Sequence, residues 1–241
     1  MNGNLRLASL IVGLGIAAAG LFIGRGFVEG RASARYVTVK GVSERDVRAN
    51  IAFWPIRFVA TANDLGSAQA AIKKSHEAVV AFLNTHGIDP TLAEVQGVRV
   101  TDRWAEYSSG RDQTRYVINQ TVMVRSEDPA TIDAASQAVG ELIDAGVVLA
   151  SQGGYDGGQP TYLFTALSDL KPEMIAEATA NARRAAEKFA EDSVSRIGKI
   201  RRANQGVFQI LARDRAQGVS QAAQINKTVR VVSTIDYYLD D

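Results

Sequence analysis

The chain has 241 residues, with 27 Lys and Arg against 26 Asp and Glu, two His and no Cys. A net charge of +1 gives no global field to recruit nucleic acid. A hydrophobic share of 46% is that of an ordinary globular chain, which sets aside a disordered tail, and the missing cysteines set aside a disulfide framework.

The first element is an uncharged run from Leu7 to Gly24, bounded by Arg6 and Arg25. Its 18 residues approach the roughly 20 needed to cross a bilayer core of about 30 Å, so it reads as a transmembrane signal anchor after a short tail, 1–6. A cleaved secretory signal is the alternative, since Ala32-Ser33-Ala34 offers a small-residue site, although ten residues and several charges beyond the apolar core. Gly13-Leu14-Gly15 followed by Gly20 echoes a dinucleotide fingerprint, but the third glycine is misplaced. Gly13, Gly20 and Gly24 instead carry small-xxx-small spacing, which lets two membrane helices approach closely. The charge count, with Arg25, Arg31, Arg35 and Lys40 after the run, tips the domain toward the cytoplasm. Residues 25–35 are small and polar, a linker.

The remaining residues, 36–241, suffice for one large domain or two small α+β subdomains. Tyr36–Lys40 and Ile51–Ala60 read as strands, with Pro55 placing the second at an edge or on a bulge. Asn63 or Asp64 caps a helix to His86 that Gly87 ends, with Leu65, Ala68, Ile72, Val79 and Leu83 on one stripe. Glu94–Tyr107 and Arg115–Ser126 form a hairpin around the polar turn 108–112. Asp128-Pro129 opens a second helix to Asp144. Val147–Ala150 and Thr161–Leu167 are β-rich and flank the glycine-rich loop Ser151–Pro160. The third helix runs from Pro172 to Ile197, with Gly198 as terminator. Its many alanines predict close packing against a sheet. Lys199–Ala212 and Ile225–Leu239 complete an order ββα-ββα-βα-ββ, hence α+β with mostly antiparallel strands and three helices after the anchor. Long edges of this kind invite pairing between subunits.

Three segments resemble the SIMPL domain (domain of unknown function 541) of bacterial envelope proteins: Val37–Ile72, with its opening strand, glycine and long second strand; Arg115–Asp128, an aromatic, Gln and alternating-valine strand; and Ala166–Ile200, a Leu-Ser-Asp followed by an Ala/Arg-rich helix. With Val229–Leu239 the resemblance spans almost everything after the linker. Ala49-Asn50 departs from the Pro-Asp that the family often has there. The resemblance implies an exported domain on the periplasmic side of a bacterial inner membrane, tending toward large homo-oligomeric rings or cages, and no established catalytic residues. It overrides the charge count on orientation.

Chemistry is sparse. His76 and His86, ten apart on one helix, lie about 80° apart around it and roughly 15 Å along it, too far to share a metal. His86 complements the helix C-terminus, and His76 reads as a partly exposed helix residue. No G-x-S-x-G, H-E-x-x-H or P-loop occurs. Trp54, Trp104, Tyr107 and Tyr116 fall on strands and read as packing residues. The resulting expectation is a membrane-anchored, non-enzymatic homo-oligomer without cofactor, metal or nucleic acid, with other envelope proteins as further partners. A binding or adaptor module for a lipid, peptide or envelope protein is the second reading. Its loop residues Tyr155 and Asp156 are the discriminating substitutions. An enzyme would need a pocket gathering Asp46, Arg103 and Glu106.

Overall fold

A computed structural model describes residues 13–26, 35–105, 114–150, 158–214 and 220–240. Among the described residues the chain is mixed α+β, with antiparallel strand pairing and five α-helices: α1 (13–26), α2 (Leu65–Thr85), α3 (Pro129–Gln137), α4 (Gly140–Asp144) and α5 (Leu167–Asp192). Nine strands accompany them: β1 (Tyr36–Arg48), β2 (Ile51–Ala62), β3 (Ala93–Asp102), β4 (Tyr116–Ser126), β5 (Val148–Leu149), β6 (Thr161–Leu163), β7 (Arg196–Gln205), β8 (Gln209–Ala212) and β9 (Asn226–Asp240). Among the described residues no helix is long and apolar enough to cross a membrane. Of the spanning helix expected over 7–24 the described residues hold only α1, which is not long and apolar enough to cross a membrane; Leu7 to Val12 lie outside the described residues.

The contacts divide the chain into two compact units, 1–43 with 172–208 and 231–241, and 44–171 with 209–230. In the first, β1, β9 and β7 form successive strands, and β7 runs antiparallel to β9. Alanines on α5 make its approach close: Ala178, Ala182 and Ala186 are fully buried, and a Cβ on Gly41 would lie 1.8 Å from the Ala178 carbonyl oxygen. The expected packing of an alanine face on a sheet is what the chain adopts, around Val37, Val39, Ile235 and Tyr237.

The helix limits differ from expectation. α5 starts at Leu167, so Pro172 sits inside it, where it lacks the N–H that would bond to Ser168 and its ring crowds that carbonyl. It ends at Asp192, before Gly198, which lies within β7. A pair of closing bonds, Ser195 N–H to Ala190 and Val194 N–H to Glu191, terminates it earlier. The left-handed position that glycine favours is held by Val194, at φ 54° and 93% exposed. For a β-branched side chain this conformation costs roughly 1–2 kcal/mol. Val194→Gly is therefore expected to raise stability by about 1 kcal/mol, part of the relieved strain being offset by glycine's freedom in the unfolded chain. Urea melts of the two proteins measure the difference.

In the second unit a sheet of order β3-β4-β2-β5, with β6 also on β2, carries α2 on one face. Alternation delivers Trp54, Ile56, Phe58 and Ala60 of β2 and Ile118, Val122 and Val124 of β4 to that face. Ala68, Ile72, Val79, Phe82 and Leu83 of α2 meet them, whereas Leu65 of the expected stripe is exposed. Each large apolar side chain buried there contributes roughly 1.5–3 kcal/mol. Asp64 caps α2 through the Ser67 N–H, 2.8 Å, and Gly87 takes φ 73° after it. The second predicted helix is broken in two at Ala138-Val139, where a β-branched residue precedes Gly140. Gln120, buried on the core face of β4, is satisfied by donating to His76 Nδ1 at 3.1 Å. His86 donates to Glu141 at 3.0 Å.

Lys227 occupies a core-facing position of β9, 1% exposed, and its ammonium donates to the Gln221 carbonyl. Burial lowers its pKa. The unfolded chain, with an ordinary lysine near 10.4, therefore holds this proton where the folded chain has lost it. Stability is expected to rise with pH from the lowered folded value toward about 10.4, and Lys227→Met should remove that rise. Urea midpoints measured from neutral pH to pH 10 check both.

Candidate functional site

The feature that shapes the second unit's surface is a break beside β2. Along one side β2 pairs with β4 without interruption from Ala52 to Ala62, Pro55 standing opposite Met123. Along the other, β6 pairs at Ile51–Phe53 and β5 at Phe58–Val59. Pro55 thus lies on an interior strand without a bulge, contrary to the expected edge. The sequence logic survives in altered form. Arg57 C=O points to the β5 side, where Ala150 N–H donates to it at 2.9 Å, and Pro55, two residues earlier, points the same way. A residue with no N–H occupies the interval where no strand stands opposite.

This interval opens a cleft of about 360 Å³, lined among others by Trp54, Pro55, Arg57, Asp133, Ser136 and Tyr162. Trp54 forms its floor: the indole is buried, stands edge-on to Phe82 with ring centres 6.2 Å apart, and donates through Nε1 to the Gly158 carbonyl at 2.9 Å. Gly158 takes φ 87°, a turn conformation that favours glycine. On one wall the Tyr162 hydroxyl donates to Asp133 at 2.9 Å. Burial, and then the hydrogen bond to Asp133, holds the phenol well above its usual range, so it remains a protonated donor. Ser136 donates to the Asp133 backbone carbonyl at 2.8 Å. The cleft thus presents a protonated phenol and a serine engaged by its own helix among mixed polar and apolar residues, Arg57 and Gln137 beside Ile56 and Val139.

This geometry sits inside a stretch that one family model covers from residue 37 to 237, SIMPL, described as a protein of unknown function (DUF541). The chain belongs to the SIMPL family. The match begins one residue into β1 and ends within β9, so it takes in the whole of the second unit and residues 37–43, 172–208 and 231–237 of the first. A comparison with curated proteins finds no match.

The residues singled out by sequence fall in different places in this SIMPL chain. Gly13, Gly20 and Gly24 lie on α1 with open space at each Cβ position. Tyr155 and Asp156 lie outside the described residues, as do Glu106 and Tyr107. Asp46 accepts from Thr228 Oγ1 at 2.7 Å, and Arg103 extends the β3–β4 hairpin through its N–H to Arg115 C=O at 2.8 Å. Trp104 is half exposed, 5.2 Å beneath the Arg115 guanidinium, which also binds Asp102 through two nitrogens. Among the described residues no group of three His, Asp or Glu is placed to hold a metal ion. The Asp133–Tyr162 pair escaped the sequence reading because 29 residues separate its members and no spacing rule joins them.

Proposed function

We propose that this SIMPL chain is a non-enzymatic envelope protein, held in a bacterial inner membrane by one N-terminal helix, whose periplasmic domain works by assembling into a homo-oligomeric ring or cage. The observation that supports it best is α1. Every described residue of this helix is exposed, including Leu14, Ile16, Leu21, Phe22 and Ile23 at 63–77%. A helix that is apolar all round is stable only when lipid or protein surrounds it. Residues 13–24 of α1 belong to the uncharged run that begins at Leu7, which would measure about 27 Å as a helix, close to the bilayer core. Gly13, Gly20 and Gly24 then offer a face on which copies meet within the membrane.

The experiment is extraction of the full-length chain from membranes with alkaline carbonate, which strips peripheral proteins. Retention in the pellet is the expected result, and release into the supernatant defeats the anchoring. A second reading, a periplasmic module that binds a lipid, a peptide or another envelope protein, is favoured by the cleft at Pro55 and its Tyr162–Asp133 pair.

A further inference from the structure

We infer that the β1–β7 end of the first unit is a docking surface for anionic lipid headgroups, which seats the domain on the membrane that holds its anchor. This deepens the anchoring reading and rests on it. The stretch Arg196–Arg202 of β7 carries Arg196, Lys199, Arg201 and Arg202, all exposed, with no acidic residue between them. β1 brings Arg35 to the same end of the sheet, where its carbonyl accepts from Leu239 N–H at 3.0 Å. The Arg201 guanidinium lies 4.0 Å above the ring of Tyr36, which is half exposed. Two carboxylates stand opposite, Asp240 at Arg196 and Asp236 at Arg202. Four exposed cations on β7, one of them stacked on an exposed tyrosine, with two carboxylates opposite them among the described residues, suit an anionic bilayer surface, where aromatic rings settle at headgroup level and basic side chains gather. The covalent structure keeps this end near lipid. Tyr36 follows the last residue of α1 by ten positions, a tether of at most about 35 Å.

The test uses the full chain with Thr38→Cys, the only cysteine it would contain, labelled with an environment-sensitive fluorophore. The protein is reconstituted in vesicles of phosphatidylcholine alone or with about one third phosphatidylglycerol. The expected result is a blue-shifted emission only with phosphatidylglycerol, reversed by 0.5 M salt as screening predicts. Lys199→Glu with Arg201→Glu should lower the docked-to-free ratio by about tenfold or more. The milder pair Lys199→Gln with Arg201→Gln should lower it less, and matching circular dichroism melts confirm that both remain folded. Equal emission in the two lipids, or a charge-reversed variant that docks as before, overturns the proposal. Carbonate extraction of the same vesicles reports the anchor separately, so loss of the anchor and loss of the docking surface are distinguishable.

Discussion

Gly41→Ala is expected to destabilise the chain by about 4 kcal/mol or more, at the extreme of what single substitutions do. The added methyl carbon would fall 1.8 Å from the Ala178 carbonyl oxygen and 2.4 Å from the Ala182 nitrogen. Both are backbone atoms of α5, so no side chain can turn aside to make room. Relief requires the helix to lift from β1, which would uncover Val37, Val39, Ile235 and Tyr237. Overpacking against yielding side chains typically costs 1–3 kcal/mol, and a rigid helix backbone yields less. Urea denaturation followed by far-ultraviolet circular dichroism measures the loss. A loss below about 1 kcal/mol would mean that α5 does not lie this close to the strand.

Trp54→Ala is expected to cost about 3–5 kcal/mol. The indole is among the largest fully buried side chains, and its removal would empty the space between β2 and Phe82. It would also release the Gly158 carbonyl from its donor and so loosen the edge of the cleft. Trp54→Phe separates the two contributions, since it keeps most of the packing and loses the hydrogen bond, worth about 1–2 kcal/mol. The same denaturation experiment reads both variants. Equal losses for Ala and Phe would contradict the assignment of most of the effect to packing.

Much of this fold was legible because local chemistry and global packing agree. Asp64 and Gly87 punctuate α2 as any helix is punctuated, and Asp128-Pro129 opens α3 in the same way. The strands β4 and β9 are legible as strands from their alternating valines. The end of α5 was misread because Gly198 looked like its terminator, while Val194 holds the left-handed position against its own preference. Pro55 was misread because proline on a strand ordinarily marks an edge, and only the chain's path reveals that β5 and β6 leave a gap beside an interior strand. Lys227 was legible and overlooked. It falls in phase with Val229, Val231, Ser233 and Ile235, so the period of two already placed a lysine in the core. The cleft was not legible, since Asp133 and Tyr162 meet only through tertiary structure.

The most direct test of the proposed assembly is the mass of the full-length protein, extracted from membranes in mild detergent and weighed by light scattering with detergent correction. A single large multiple of 25.9 kDa is the predicted result. A monodisperse monomer at micromolar concentration would contradict self-association and leave recognition at the cleft as the function to pursue.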